Sequence, residues 1–428
     1  MAIELAPIFR KAYYSLALFG GLYLVFVFAI TFPIIQRNVL YAHKVNPTLW
    51  QDLSDVEAFG FLKHQVQPFT LRTWDNETLY AWHILPLHLA QEHSEELLKQ
   101  DDFSVRSSSQ VLDSVAFKLL AIDPNAHVVV NFHGNAGHLA SSYRPFTYQR
   151  LLGLSSKTRP VHVIAFDYRG FGLSTGTPTE AGLLMDAETV LNFLTGLMPS
   201  PTEQDPSQTH HQRTLSIPSS NIILTSQSLG TAISTHLLHS WTLSHNLPPP
   251  NSLILTSPFS SLPSLIDSYS IKGLTPPLLS PFRSYPFIMN KITAFIADTW
   301  RTDQRLAEIL LSDRDIPINI HLIHARDDRE IPWWETQKIW DSVLRAATTR
   351  RLDVLQELDS GIGVVEKGKD GSGSTTSNTG SRLQTWRGRR SNAAHEKVLR
   401  YTRTQHGGHN RLACSEEVAG AVWRALEG

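Results

Sequence analysis

The sequence contains one cysteine, Cys414, and a nearly balanced set of charges. A single cysteine excludes a disulfide within the chain but leaves the redox compartment open, because a lumenal protein can also lack disulfides. With a formal net charge of −1, the chain lacks the strongly basic character that marks a nucleic-acid-binding protein. Its 428 residues are enough for one large α/β domain or two small ones.

Groups of metal ligands are also lacking. His321 and His324, and likewise His406 and His409, are three residues apart, as pairs of zinc ligands can be. No cysteine or acidic residue stands at the usual ligand spacing from either pair. The sequence therefore predicts no metal site, and it predicts no cofactor and no obligate protein partner.

The longest uncharged run is residues 12–36, which read AYYSLALFGGLYLVFVFAITFPIIQ. As a helix this run would reach about 35 Å, enough to cross the hydrocarbon core of a bilayer. A cleaved signal peptide is the alternative, but the run is longer than a usual signal-peptide core and no A-x-A cleavage site follows it. The sequence predicts a tail over 1–11, a transmembrane signal anchor over 12–36, a linker over 37–66 and one catalytic domain over 67–428.

Orientation in the membrane is only weakly encoded. Arg10 and Lys11 precede the apolar run and Arg37 and Lys44 follow it, so the positive-inside rule does not choose a side. The sequence Asn76-Glu77-Thr78 is an N-glycosylation sequon, which can be used only if the catalytic domain is lumenal.

Short apolar runs alternate with helical patterns along the rest of the chain. Phe69–Thr73 and Thr78–Leu85 flank turn residues and predict a hairpin. Later β-branched runs predict strands buried on both faces: His127–Phe132, Val161–Phe166, Ile222–Thr225, Leu253–Thr256 and Ile318–Ile323. This alternation predicts a mostly parallel central sheet with helices on both faces. The sequence Thr177-Pro178-Thr179-Glu180 resembles a capping box, which predicts a helix that begins at Pro178.

Three further segments have a distinctive composition. Residues 199–220 are polar and rich in proline, and residues 359–395 are rich in glycine and serine, so both are predicted to be insertions and the second to be disordered. Residues 257–310, between the last two predicted strands, are predicted to form a cap. Its apolar side chains are predicted to share one helical face, which suits an acyl chain or a buried core: Ile288, Ile292, Phe295, Ile296 and Trp300.

The stretch SQSLG, residues 226–230, follows a strand and precedes an apolar helix. It resembles the G-x-S-x-G nucleophile elbow, with Ser226 in place of the first glycine. Because the elbow turns so tightly, the residues two positions before and after the nucleophile must be small, and Ser226 and Gly230 satisfy this. Ser228 is therefore the candidate nucleophile, and an ordinary strand-to-helix turn is the alternative.

A nucleophilic serine needs a base and an acid that orients the base. Asp328 follows the strand-like run that ends near His324, with Asp327 and Asp267 as alternative acids. His409 lies in a glycine-rich loop before the last helix, with His406 as the alternative base. The chain order Ser, Asp, His is the order found in α/β-hydrolases.

An oxyanion hole needs two backbone N–H groups. Leu229, just after the candidate nucleophile, and Asn135, in the loop HGNAG after an early strand, are the predicted donors. His133 in the same loop is interpreted as structural. Asp167 precedes the serine in the chain and is interpreted as a carboxylate that orders its loop.

The motifs HGNAG, DYRGFGLSTG, SQSLG, SPF, HARDD and GGHN occur in this order over residues 67–428, apart from the two insertions. In this arrangement the chain resembles the membrane-bound branch of the α/β-hydrolase superfamily. The resemblance implies the α/β-hydrolase fold and serine hydrolysis of monoacylglycerols and lysophospholipids, notably lysophosphatidylserine. It also implies an endoplasmic reticulum membrane location with a lumenal site, and it aligns Ser228, Asp328 and His409 with the family's triad.

Two other functions are compatible with the same motifs. A related soluble branch removes acyl groups from protein cysteines, which would require a cytosolic site. A catalytically inactive binding protein could also retain the fold. Use of the Asn76 sequon would argue against the first, and reaction with a fluorophosphonate probe would argue against the second.

Overall fold

The computed structural model describes residues 7–44, 51–100, 105–198, 213–269, 279–349, 355–358, 382–388 and 394–428. The described strands form one sheet in the order β3-β1-β2-β5-β4-β6-β7-β8-β11-β10-β9. Their bounds are β1 Val66–Arg72, β2 Thr78–Ile84, β3 Arg106–Ser107, β4 His127–Phe132, β5 Val161–Phe166, β6 Ile222–Gln227, β7 Ser252–Thr256, β8 Ile318–Ala325, β9 Leu355–Leu358, β10 Arg382–Gly388 and β11 Lys397–Thr404. Strands β5, β4, β6, β7, β8 and β11 are parallel, which confirms the predicted parallel centre.

Helices cover both faces of this sheet. They are α1 Pro7–Ala29, α2 Pro33–Tyr41, α3 Leu87–Glu92, α4 Ser94–Lys99, α5 Ser108–Val111, α6 Val115–Ile122, α7 Arg144–Leu152, α8 Glu180–Thr195, α9 Leu229–His239, α10 Leu262–Ser268, α11 Pro286–Ala294, α12 Thr302–Leu311, α13 Trp334–Thr349, α14 Gly408–Arg411 and α15 Glu416–Glu427. Along β4, Val128 and Val130 pack into the core beneath α8, α9, α12 and α13, whereas Val129 packs into the core beneath α7 and α15. Alternation of side chains along a strand thus divides the apolar run between two cores.

The predicted hairpin is confirmed, since β1 and β2 pair antiparallel with Val66 opposite Ile84. The predicted start of α8 is wrong. The helix begins at Glu180, and the cap is Thr179, whose side chain accepts a hydrogen bond of 2.9 Å from the Gly182 N–H. A capping box at Thr177 would use the Glu180 side chain. The Glu180 carboxylate instead accepts hydrogen bonds from the backbone N–H groups of residues 299 and 300.

The apolar N-terminal segment differs from its predicted bounds. Helix α1 covers 7–29, and a break at Ile30–Phe32 separates it from α2, which begins at Pro33. Proline lacks an N–H group and is favoured in the first helical turn, so it starts a new helix and does not continue the first. Residues 9–29 are long and apolar enough to cross a membrane, and 6% of the most apolar window is buried in the protein.

The region predicted as a linker, residues 37–66, is largely packed onto the domain. Tyr41 at the end of α2 is fully buried, and Leu53, Val56 and Phe61 lie in the core beneath α7 and α15. Residues 45–50 lie outside the described residues. The folded domain therefore begins well before residue 67.

The insertion predicted over 359–395 contains a strand. Residues 359–381 and 389–393 lie outside the described residues, but β10 pairs antiparallel with β11 and with β9. The Trp386 side chain on β10 is fully buried, so this part is a component of the fold. In the other insertion, residues 199–212 lie outside the described residues, while Leu215 and Ile217 are buried against the core.

The single helical face predicted for the cap is also wrong. Helix α11 ends at Ala294, and Trp300 lies beyond it in a left-handed conformation with φ 46°. Its side chain is fully buried, whereas Phe295 is largely exposed. These side chains therefore do not form one continuous stripe.

Candidate active site

The candidate nucleophile lies where β6 ends and α9 begins. Ser228 has φ 52° and ψ −120°, a conformation that non-glycine residues rarely adopt and that is found where a structure stores strain. Its N–H donates a hydrogen bond of 3.0 Å to the Thr256 carbonyl of β7. The prediction of a sharp strand-to-helix turn with Ser228 at its apex agrees with this backbone.

The two small residues that flank the turn are packed differently. A Cβ atom at Gly230 would lie 2.2 Å from the Phe132 carbonyl oxygen and 2.8 Å from the His133 carbonyl oxygen. Ser226 has room for its side chain, and its Oγ donates a hydrogen bond of 3.1 Å to the Ile254 carbonyl. The sequence argument that both positions need only a small residue is therefore too permissive at 230, where the approach of β4 requires glycine.

Asp328, in the turn after β8, and His409, in the short helix α14 after β11, come together at the carboxyl ends of these strands. The His409 Nδ1 lies 2.9 Å from Asp328 Oδ2, and the backbone N–H groups of Glu330 and Ile331 donate to Asp328 Oδ1 at 2.9 and 3.0 Å. Because Asp328 is an acceptor, this contact places the proton on Nδ1 and leaves Nε2 free to act as a base.

Asp328 and His409 each stabilise the charged form of the other. Burial by itself would raise the pKa of Asp328, but His409 and His324 hold that pKa well below its usual range. Burial by itself would lower the pKa of His409, but the Asp328 carboxylate, and then that of Glu330, raise it above its ordinary value. The pair thus favours an imidazolium, the state that a general base reaches when it has taken a proton.

A second histidine, which sequence reasoning considered only as a metal ligand, supports the acid. His324 is fully buried, and its Nε2 lies 2.9 Å from the Ile331 carbonyl and 3.3 Å from Asp328 Oδ2. The spacing of His324 and Asp328 in HARDD was the available signal. Among the described residues, no three His, Cys, Asp or Glu side chains are grouped as metal ligands would be.

The alternative acid and base form a separate pair at the surface. His406 Nδ1 lies 3.6 Å from Asp327 Oδ2, and the His406 side chain is 91% exposed. Asp327 also accepts a hydrogen bond of 2.8 Å from the Gly408 N–H, so it shapes the loop that carries His409. The side chain of Asp267, the third candidate acid, lies outside the described residues.

Two hydrogen bonds join the serine turn to the segment that carries His409. Gln227 Nε2 donates to the His409 carbonyl at 2.9 Å and to Asn410 Oδ1 at 3.1 Å. Among the described residues, the Ser228 hydroxyl and the His409 ring make no direct hydrogen bond. Such contacts commonly tighten only when substrate is bound.

The loop HGNAG lies directly beside the turn. A Cβ atom at Gly134 would be 3.4 Å from Ser228 Cβ, so the loop is in van der Waals range of the serine. Arg144 at the start of α7 donates to the carbonyls of Gly134, Asn135 and Ala136 at 2.9, 3.2 and 2.9 Å, and also to that of residue 138. By binding these carbonyls, Arg144 holds the backbone of the loop beside the serine turn.

The two predicted oxyanion donors differ in their surroundings. Leu229 is the first residue of α9, so its N–H has no partner within the helix. The Asn135 side chain donates a hydrogen bond of 2.6 Å to the Leu40 carbonyl of α2. Sequence reasoning missed this contact, which connects the N-terminal segment to the candidate oxyanion loop.

His133 and Asp167 lie behind this loop. The Asp167 Oδ1 accepts a hydrogen bond of 2.6 Å from the Leu139 N–H and lies 3.4 Å from His133 Nε2. Both side chains are buried, and burial lowers the pKa of His133 below its ordinary value. Their contacts with the loop agree with the structural roles that the sequence predicts.

Glu330 is an unpredicted neighbour of the base. Its Oε2 lies 3.9 Å from His409 Nε2, and the side chain is 26% exposed. A carboxylate at this distance interacts strongly with a charge on the imidazole.

A serine with positive φ after a parallel strand, followed along the chain by a buried aspartate in contact with a histidine, is typical of serine hydrolases with an α/β fold. The chain belongs to the α/β-hydrolase family, whose model, described as "Alpha/beta hydrolase family", matches residues 128–421.

The chain is also similar to individual proteins. The chain is 25% identical over 335 residues to the lysophosphatidylserine lipase ABHD12 of Xenopus tropicalis, covering 77% of this chain and 71% of that one. It is 24% identical to the Rattus norvegicus lipase of the same name, covering 75% and 67%. Among solved structures, a Pyrococcus furiosus esterase matches with 14% identity, a TM-score of 0.44 and coverage of 90% of this chain and 97% of that one.

Proposed function

We propose that this chain is a membrane-anchored serine hydrolase that cleaves carboxylic esters of lipids such as monoacylglycerols and lysophospholipids. The observation that carries the proposal is the strained Ser228 together with a buried Asp328 that is hydrogen-bonded to His409. Membership of a hydrolase family and similarity to lipases make the chain an ester hydrolase. The residue roles that follow are part of the proposal.

In the first half of the reaction, His409 Nε2 takes the proton of the Ser228 hydroxyl while the serine oxygen attacks the ester carbonyl. The Asp328 carboxylate stabilises the imidazolium through the 2.9 Å contact to Nδ1. The N–H groups of Leu229 and Asn135 stabilise the oxyanion of the tetrahedral intermediate. Its collapse expels the alcohol, which takes the proton from Nε2 and leaves an acyl group on Ser228.

In the second half, water replaces the alcohol. His409 Nε2 takes a proton from the water, and the resulting hydroxide attacks the acyl-enzyme carbonyl. The fatty acid leaves and Ser228 regains its proton from the imidazolium, so atoms and charges balance over the cycle. No step requires a metal or cofactor.

A lipid substrate is supported by two features. The relatives named above are lysophosphatidylserine lipases. Helix α1 is apolar, 21 of its residues form a candidate membrane span, and the following α2 is hydrogen-bonded to the candidate oxyanion loop. A site tethered in this way meets esters that reside in the bilayer.

For location, we propose a single-pass protein of the endoplasmic reticulum membrane with a lumenal catalytic domain. Asn76 is exposed in the turn between β1 and β2, with φ 74°, where a glycosyltransferase can reach it. Endoglycosidase treatment of microsomal protein should therefore increase its mobility, and Asn76→Gln should abolish that shift. An unshifted band that is protease-sensitive in sealed microsomes would place the site in the cytosol and favour the acyl-protein thioesterase function.

The test of catalysis compares two serines of the same turn. Ser228→Ala should lower kcat on monoacylglycerol and lysophosphatidylserine by about 10⁴–10⁶, as loss of a triad serine does. Ser226→Ala is the matched control and should retain most activity, because in the described part of the chain its hydroxyl bonds the Ile254 carbonyl and the Ser234 hydroxyl, both away from the proposed reaction. Labelling by a fluorophosphonate probe should follow the same pattern. Equal losses in both variants, or a wild-type protein that neither reacts with the probe nor hydrolyses esters, would refute the proposal.

A further inference from the structure

Part of the cap lies alongside helix α1. The ring of Phe282, in a short 3₁₀ helix before α11, stacks on the ring of Tyr23 in α1 with centroids 5.9 Å apart. Two hydrogen bonds hold the same region to the start of α2: Gln36 donates to the Phe295 carbonyl at 3.2 Å and accepts from the Ala297 N–H at 2.8 Å. The cap segment 279–296 is thus attached to the N-terminal helices at two levels.

The position of Tyr23 fixes the depth of this contact. Tyr23 precedes Ala29, the last residue of α1, by six positions, which corresponds to about 9 Å along a helix axis. A helix of this length covers roughly the full 30 Å of a bilayer core. If α1 spans the bilayer, the Phe282 ring beside Tyr23 therefore lies within the acyl boundary and not in water.

The outer side of the cap segment is apolar with two basic residues, which is the composition that a position at the acyl boundary of the bilayer requires. Helix α11 has no buried residue in the described structure. Four large side chains form what we call the cap surface, with exposed fractions of 59, 70, 38 and 59%: Tyr285, Phe287, Ile288 and Phe295. Segment 279–296 contains no Asp or Glu, and its charged residues are Arg283 and Lys291.

Basic residues beside an apolar face are typical of elements that lie in the membrane interface. Lys291 Nζ is 4.5 Å from the centre of the Phe287 ring, so its long side chain lies along the apolar surface and can extend its charge to a lipid headgroup. Anionic headgroups attract such positive charges.

We propose that the cap surface is a second membrane-binding element, which inserts into the same bilayer leaflet that α1 leaves at Ala29. The proposal rests on the anchored orientation of the proposed function. It adds that the mouth of the active site faces the leaflet, because the cap segment follows the carboxyl end of β7, which runs parallel to β6 and therefore ends on the same edge of the sheet as the Ser228 turn. A lipid ester can then enter the site sideways from the leaflet without crossing water.

The chain's single cysteine makes the direct test simple. Full-length Cys414→Ser protein in liposomes receives one new cysteine carrying an environment-sensitive fluorophore, and some lipids carry a nitroxide quencher, close to the headgroup in one set of liposomes and deep in the acyl chain in a second set. Phe287→Cys reports on the cap surface and Leu16→Cys on the anchor. Ile122→Cys is the matched control, since Ile122 is 74% exposed but lies just before the amino end of β4, whereas Ser228 and the cap segment follow the carboxyl ends of the neighbouring parallel strands.

We expect quenching at residues 287 and 16 and none at 122. Quenching at 16 without quenching at 287 would overturn the cap proposal and leave the anchor intact. No quenching at either position would overturn both. Quenching at 122 as well would reveal non-specific adsorption and would also overturn the proposal.

Activity provides an independent test. Phe287→Asp should reduce the hydrolysis rate of monoacylglycerol in vesicles by about tenfold while that of a short, water-soluble ester stays within about twofold, because a charge on the cap surface opposes insertion. Ile122→Asp is the control and should change neither rate. Equal loss on both substrates would overturn the cap proposal, whereas a wild-type protein that hydrolyses neither ester would refute the proposed function regardless of the quenching result.

Discussion

Gly230→Ala tests the geometry of the serine turn more sharply than removal of the serine itself. The added Cβ would stand 2.2 Å from the Phe132 carbonyl oxygen, 2.7 Å from the Phe132 carbonyl carbon and 2.8 Å from the His133 carbonyl oxygen. All three are backbone atoms at the end of β4, where the HGNAG loop begins. A flexible side chain cannot relieve the overlap, so α9 and the loop must move apart.

The size of that movement sets the expected effect. Real Cβ atoms essentially never approach closer than 3.0 Å, so the backbone must separate by about 0.8 Å. Overpacking of this kind destabilises a fold by about 1–3 kcal/mol. A displacement near 1 Å between a nucleophile and its oxyanion donors costs on the order of 10²-fold in rate. We expect kcat on a soluble ester to fall by about 10²-fold while the protein remains folded.

The assay measures kcat and KM on a soluble ester, the rate of fluorophosphonate labelling and the thermal unfolding midpoint. Gly420→Ala is the matched control: it lies in α15, where a Cβ would meet only Arg424 Nη1 at 3.7 Å, so activity should be unchanged. Ser226→Gly, on the other flank of the turn, should retain most activity. A Gly230→Ala enzyme that is folded and as fast as wild type would refute the close approach of β4 to the turn.

Three further predictions concern groups around the serine. Asp328→Asn should lower kcat by about 10⁴, because the amide cannot hold the base in its tautomer, and Asp327→Asn should have little effect; comparable losses in kcat would contradict the choice of acid. Glu330→Gln should move the acidic limb of the pH–rate profile to lower pH, because the Glu330 carboxylate raises the pKa of His409 and the base works in its neutral form. An unchanged acidic limb would show that the two groups do not interact. Arg144→Met should lower kcat more than it raises KM, because several loop carbonyls lose their donor, and Arg144→Lys should restore only part of the rate; wild-type kcat in the methionine variant would remove Arg144 from the positioning of the loop.

Local sequence patterns were sufficient for the centre of the sheet. The apolar runs of β4, β5, β6, β7 and β8 are short and β-branched, and burial on both faces accounts for that composition without reference to any distant residue. The position of Ser228 at a strand-to-helix turn is equally local, because a strand pattern ends and a helix pattern begins within two residues. Family membership follows from these motifs and their order.

Features that depend on distant parts of the chain escaped the sequence patterns. Strand β10 lies in a segment whose composition predicts disorder, but it pairs antiparallel with β11 and its Trp386 side chain is buried. Helix α8 begins two residues later than predicted, and the Glu180 side chain, which a capping box at Thr177 would use, instead accepts a hydrogen bond from a backbone more than a hundred residues away. The composition of a segment indicates only which structure that segment can form by itself. The partners of β10 and of Glu180 lie elsewhere in the chain, so these two segments do not reveal them.

The arrangement of the site was decided by tertiary structure in the same way. Asp327 and Asp328 are adjacent and chemically identical, yet one orders a surface loop and the other contacts His409, because successive residues of a turn point in different directions. The bond between Asn135 and Leu40 brings the N-terminal segment to the candidate oxyanion loop across 95 residues of sequence. Sequence alone determined which residue types and local turns were available, whereas the fold determined which of them meet, since burial and hydrogen bonding act between groups that only the packed chain brings within a few ångströms.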